Sequence, residues 1–194
     1  MKLKIVTGSN RQNSNSSKIA NIIKERCLAK ASFSEINELN FAETDIPHWN
    51  EDYWTSSEEW APIKRDVIAP LRDDDAFVII TPEYSGMATG LIKNFFLMCS
   101  ARELGHKPAL IVSVSSGIGG SYPVAELRMS SYKNTRICYI PDHVIVRNAD
   151  DFSDENPASE RLTYGLDILA EYSKALKGVR ESGVVNHKDF PYGL

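Results

Sequence analysis

Gly8-Ser9-Asn10-Arg11-Gln12-Asn13-Ser14-Asn15-Ser16-Ser17 follows directly on the apolar run of residues 3–6. One glycine, a cluster of hydroxyl and amide side chains and the start of a helix place many hydrogen-bond donors around one concave spot. The first N–H groups of a helix have no intrahelical acceptor, and the helix dipole adds partial positive charge. The segment therefore suits an anion, above all a phosphate. Arg11 adds a fixed positive charge able to grip phosphate through two N–H groups. The structural alternative is a plain turn with an N-cap and a surface arginine.

Two later turns share this richness in small residues: Thr81-Pro82-Glu83-Tyr84-Ser85-Gly86 and Ser115-Ser116-Gly117-Ile118-Gly119-Gly120. Backbone amides at Tyr84, Ser85 and Gly86 can meet the polar edge of a heterocycle, while Pro82 fixes the chain direction and Tyr84 presents a ring face or a hydroxyl. A flat conjugated ligand fits such a turn, and a tight turn packed on its neighbours is the alternative. None of the three turns offers an obvious general acid or base, so no catalytic side chain is assigned.

Positioning these turns requires a scaffold that gathers them. Strand-like and helix-like patterns alternate along the chain, which predicts an α/β fold: a doubly wound five-stranded parallel sheet with helices on both faces, as one domain over 1–194. Strands are expected at 3–6, 33–39, 76–80, 109–114 and 137–140. Helices are expected from 18, over 57–71, 90–102 and 121–134, and over 157–178. An acidic loop is expected over 142–156. In an open parallel sheet the ligand lies beyond the carboxyl ends of the strands where strand order reverses, and the three turns fall there. The long loop 40–57 carries Pro47, His48, Trp49, Tyr53 and Trp54. Its aromatics suit a lid over the site or over a neighbouring subunit's site, or equally core or interface packing.

Composition narrows the function classes. A net charge of −4 and a pI near 5.6 give no basic field for nucleic acid. No apolar stretch is long enough to span a bilayer and no signal-like start is present, so a cytoplasmic protein is expected. Cys27, Cys99 and Cys138 form no CxxC pair and read as buried or half-buried thiols. His48, His106, His143 and His187 lie far apart without ligand spacing, and no metal site is expected. The run Gly117-Ile118-Gly119-Gly120 is no dinucleotide fingerprint, because Tyr122 stands at its sixth position, and neither a P-loop nor a GxSxG elbow occurs.

Gly8-Ser9-Asn10-Arg11 with Ser14, then Pro82-Glu83-Tyr84-Ser85 continuing to Gly90-Leu91-Ile92-Lys93-Asn94, then Ser115 with Gly119-Gly120, resembles the NAD(P)H-dependent FMN reductases of flavodoxin-like fold. The order and spacing agree over residues 3–128. The resemblance implies that Ser9, Arg11, Ser14, Asn15 and Ser16 surround the FMN phosphate. It implies that Pro82, Glu83, Tyr84 and Ser85 line the isoalloxazine, with Ser115 and Gly117 closing the other side. It further implies NADPH or NADH as co-substrate, a small aromatic acceptor such as a quinone, azo compound or free flavin, and a homodimer or homotetramer. This chain departs from the family at Ser85, where Asn is usual, at Thr89, where Pro is frequent, and at Phe95-Phe96-Leu97-Met98, where Asp-Trp commonly follows the Lys-Asn pair. These departures bear on acceptor and assembly more than on FMN. A flavodoxin-like FMN-binding electron carrier or regulatory protein that does not use NAD(P)H is the rival class. The mild net charge favours the enzyme, since carriers tend to be strongly acidic for docking. A hydrolase using Ser85 or Ser115 lacks a histidine in defined relation to either.

Overall fold

The computed structural model describes residues 1–193. Six strands form in chain order: β1 (Lys2–Thr7), β2 (Glu35–Asn40), β3 (Ala76–Tyr84), β4 (Met87–Ala88), β5 (Pro108–Val114) and β6 (Cys138–Val146). Five run parallel in the order β2-β1-β3-β5-β6, and the two-residue β4 returns antiparallel on the end of β3. Setting the short β4 aside, this is the 2-1-3-4-5 order of doubly wound sheets, whose reversal lies between β1 and β3. Residues 76–82 of β3 and the whole of β5 are buried, as strands covered on both faces must be, and their near-continuous apolar sequences reflect it.

Helices α1 (Asn15–Ala29) and α6 (Pro157–Glu181) cover one face, where Ile19, Ile23, Leu162, Leu166 and Leu169 meet Leu3, Ile5, Val78 and Leu110. Fully burying each such leucine or isoleucine contributes about 1.5–3 kcal/mol. Gly165 lets α6 lie close on β5, since a Cβ there would stand 3.3 Å from both Leu110 methyls. On the other face lie α2 (Gly90–Met98), α3 (Ala101–Leu104), α4 (Ser121–Ser130), α5 (Tyr132–Thr135) and the loop 41–75, around Trp60, Phe77, Phe95 and Ile111.

Several elements differ from expectation. Strand β6 runs on to Val146, so the expected loop begins five residues later than 142. The strand lies at the sheet edge, where Pro141 is tolerated, and Arg128 Nη2 donates to the carbonyls of Ile140, Pro141 and Asp142 at 2.7, 3.1 and 3.0 Å. The stretch 57–71 is not one α-helix. With Pro62 and Pro70 interrupting the hydrogen-bond ladder it becomes a π-helical turn, Ile63–Ile68, and a 3-10 turn, Ala69–Asp73. The helix expected over 90–102 stops at Met98, and a capping box between Ser100 and Glu103 starts α3. Cys27 and Cys99 are buried, Cys138 is half-buried, and all three are free. The histidines are not all apart: His106 and His187 stack with ring centroids 6.2 Å apart. Among the described residues no group of His, Cys, Asp and Glu could hold a metal ion, and no helix is long and apolar enough to cross a membrane.

Candidate functional site

The turns after β1, β3 and β5 meet beyond the carboxyl ends of the strands. The first is fixed at both ends. Gly8 N–H donates to Ile80 O at 2.8 Å, and a Cβ at Gly8 would run into Ile92, so only glycine allows this approach. Thr89 Oγ1 donates to Gly8 O at 2.8 Å while accepting from Ile92 N–H as the cap of α2. The threonine at this departure from the family pattern thus joins the first turn to α2. Asn13 takes a left-handed conformation, φ 54°, that turns the chain into α1. Ser14 caps that helix, its Oγ accepting from Ser17 N–H at 3.1 Å. Ser16 is buried, and its Oγ has no hydrogen-bond partner among the described residues. Arg11 is exposed, and Ser9 Oγ accepts its backbone N–H at 3.2 Å.

The second turn is a hairpin. Tyr84 pairs with Met87, and Ser85 (φ 52°) and Gly86 (φ 79°) both take positive φ, as a two-residue type I′ turn demands. Tyr84 OH lies 3.0 Å from Ser9 Oγ, linking this hairpin to the first turn. Glu126 braces the hairpin from α4, accepting from Ala88 N–H at 2.8 Å and from Lys93 Nζ at 3.0 Å. Partial burial opposes ionisation of Glu126, yet the Lys93 ammonium and the Ala88 N–H outweigh it and hold the carboxyl below its ordinary range. In the third turn Ser115 is buried and its hydroxyl donates to Glu83 Oε2 at 3.0 Å. Arg147, just past β6, fastens the turn through Nε to Ile118 O and Gly119 O at 2.7 and 3.0 Å.

Eight of the expected residues line one recess of about 40 Å³: Ser9, Arg11, Ser14, Asn15, Ser16, Pro82, Glu83 and Tyr84. That volume holds about three water-sized atoms. Val114 and Ser116 complete the lining. Ser85, Gly86, Ser115 and Gly117 do not line it: the first two form the hairpin tip, Ser115 is turned toward Glu83, and Gly117 stands exposed beyond it. Asn15 Nδ2 also reaches away from the recess to Asp150 Oδ1 at 2.9 Å. Sequence reasoning missed Ser116, Val114, Arg147 and Asp150. Arg147 carried a usable signal, since extending the last strand to Val146 puts it at a carboxyl end.

The aromatic loop is placed elsewhere than over this recess. Tyr53 is buried and its hydroxyl donates to Met98 O at 2.7 Å, at the far end of α2. That nine-residue helix starts beside Gly8 and runs roughly 13 Å toward the opposite pole of the sheet. Asn94 ties down the loop's start, accepting from Trp49 N–H at 2.8 Å and donating to Pro47 O at 2.9 Å. Tyr53 and Trp54 therefore do not act as a lid on the recess.

Strand order defines a flavodoxin-like α/β protein, and the three convergent turns place a recess at its β1/β3 switch point. Residues 1–151 match the family described as NADPH-dependent FMN reductase, and the chain belongs to that family. Over 125 residues it is 34% identical to a quinone reductase of Pseudomonas putida, a match covering 60% of this chain and 61% of that one. The chain thus spans about three fifths of the length of the curated relative it matches. Among solved structures it is similar to the flavoenzyme NAD(P)H:(acceptor) oxidoreductase FerB of Paracoccus denitrificans. That likeness has a TM-score of 0.68 and 20% identity, over 90% of this chain and 97% of that one. An FMN-dependent NADH-azoreductase of Bacillus anthracis in complex with FMN gives a TM-score of 0.59 and 15% identity, over 91% and 99%. At such identities the likeness concerns the fold.

Proposed function

We propose that the protein is an FMN-containing oxidoreductase that passes hydride from NADPH or NADH to a small oxidised acceptor such as a quinone, azo compound or free flavin. The observation that carries this is the recess at the start of α1, where a buried Ser16 hydroxyl with no partner among the described residues stands beside helix N–H groups without intrahelical acceptors. A buried hydroxyl without a partner is costly and is relieved by an acceptor placed in the recess. The residues present fit FMN in donor chemistry: Ser9, Arg11, Ser14, Asn15 and Ser16 offer hydroxyl, guanidinium and amide donors to the phosphate. Pro82, Glu83, Tyr84 and the Ser85-Gly86 tip offer a backbone edge and an aromatic face to the ring. Ser115 acts on the site indirectly, by holding Glu83 in place, and Gly117 lies exposed beyond the recess.

When bound, FMN supplies the hydride-accepting and hydride-donating ring, so the protein needs no acid or base of its own for that transfer. What this chain contributes is placement. Arg11 and the α1 terminus hold the anionic end, the Ser9–Tyr84 contact joins the two walls, and Glu126 and Lys93 brace the hairpin against drift. The family match and the quinone reductase relative support this reading. The same proposal includes a cytoplasmic location and a homodimer or homotetramer. Exposed Met87, Leu97, Tyr122 and Met129 on the hairpin, α2 and α4 offer an apolar face for self-association. Light scattering at micromolar concentration checks the assembly, and a monomer would remove that part.

The activity is tested on purified protein loaded with FMN under anaerobic conditions. Addition of NADPH or NADH should bleach the flavin absorbance, and a quinone should restore it. Stable colour with both nucleotides would point to an electron carrier instead, and failure to take up FMN would overturn both readings.

A further inference from the structure

At the opposite pole of the sheet from the recess lies a cavity of about 390 Å³ whose walls include Trp54, Lys64, Arg72, Met98 and Arg102. It is within the size of small-molecule sites, roughly 300–1,000 Å³. Four segments build it: the aromatic loop, the turns over residues 63–73, the end of α2 with the start of α3, and the tail after α6, which contributes His187, Pro191 and Tyr192. The tail is held there. The Arg136 guanidinium donates to the carbonyls of Phe190 and Tyr192, and His187 stacks on His106.

The lining has a distinct chemistry. Trp54 is 62% exposed, yet its ring is fixed edge-on against Tyr53 at a centroid distance of 4.8 Å, and Tyr53 is itself locked to Met98 O. A rigid, exposed indole is a surface for stacking a planar ring. Among the lining side chains positive charge is in excess. Arg72 pairs with the buried Glu103 at 2.9 Å, so those two cancel. Lys64, whose Nζ lies 5.0 Å from the Tyr53 centroid, and the exposed Arg102 are in no ion pair among the described residues. This local excess stands out on a chain of net charge −4.

We propose that this cavity is a second ligand site that takes a small planar aromatic anion, its ring against Trp54 and its carboxylate or sulfonate near Lys64 and Arg102. The site is independent of the reading of the recess, from which it is separated by the length of α2, so its ligand does not compete with FMN.

The probe is naphthoate, titrated by calorimetry into the FMN-loaded full chain. Saturable one-to-one binding is expected. It should weaken about tenfold or more in Trp54→Ala and in Arg102→Ala and be largely retained in Arg102→Lys, with flavin content unchanged throughout. The uncharged methyl naphthoate should bind at least about tenfold more weakly. Absence of saturable binding, equal binding of the ester, undiminished binding in both alanine variants, or displacement of FMN by naphthoate would each overturn the proposal. Because Trp54 and Arg102 are exposed side chains, circular dichroism of the variants should match that of the parent protein.

Discussion

In the proposed FMN site, Ser16 and Arg11 divide the work between a buried group and an exposed one. A buried hydroxyl with no partner among the described residues destabilises the protein, and an acceptor placed in the recess would relieve that cost. Ser16→Ala should therefore raise the stability of FMN-free protein by about 1 kcal/mol while weakening FMN binding about tenfold. Denaturant midpoints and FMN titration check the two effects separately, and a loss of stability with unchanged FMN affinity would remove Ser16 from the site. Arg11→Ala should leave stability unchanged and weaken FMN about tenfold to a hundredfold, the worth of a charge-assisted bond. Arg11→Lys should recover only part of this, because an ammonium cannot bind two oxygens in the planar fork. At this scale the sequence is most legible in its first turn. A glycine, a capping serine and an arginine beside a helix start are local signals, and the five residues expected there line one recess. The side chains of the third turn were not legible, since which of Ser115 and Ser116 faces the recess depends on Glu83, thirty-two residues from Ser115.

Among the elements, the β3–β4 hairpin carries the clearest consequences. Ser85 holds φ 52° at a position where type I′ turns favour asparagine, and serine pays for that conformation. Ser85→Asn should stabilise the fold by about 0.5–1 kcal/mol, read as a rise in the thermal midpoint, and a lower midpoint would contradict the turn assignment. The Glu126 brace has a pH signature. Its carboxyl is held below the ordinary value of 4.5, so its contribution is complete above pH 4.5 and is lost as pH falls through the lower folded value. The difference in unfolding midpoint between the parent protein and Glu126→Gln should shrink as pH is lowered through that range. A constant difference would show that the carboxylate's charge is not what braces the hairpin. Strand β6 explains why part of the fold was not legible. Pro141 and Asp142 in the middle of a strand read as its end, and only the edge position and the Arg128 side chain make them compatible with it. The break in α2 was legible in principle, because Ser100 and Glu103 have capping-box spacing.

For the whole molecule, the two poles of the sheet have different electrostatics. At the amino pole Lys107 is buried, donating from Nζ to Leu71 O and Arg72 O, both at 2.8 Å. Burial, helped by Arg180, lowers its pKa to about 8 against the pull of Asp74, Asp75 and Glu103. Below pH 8 the amine is charged in both folded and unfolded chains and its burial opposes folding in full. Between pH 8 and 10.5 the unfolded chain binds more protons, so stability rises with pH. Relative to Lys107→Met, the parent protein should gain stability steadily across that interval, as urea midpoints at several pH values would reveal, and a flat difference would contradict it. The overall architecture was the most legible feature of all, since alternating strands and helices leave few topologies.

The close seat of Gly165 on Leu110 also bears on how the protein comes into being. All six strand sequences lie before residue 151, and Leu110 and Val144 gain their cover only from the helix over Pro157–Glu181, which is synthesised after them. At the usual pace of translation those twenty-five residues take roughly one to five seconds to appear. Until that helix docks, the apolar residues it covers are unshielded, a window for chaperone capture that closes when Gly165 settles onto its strand.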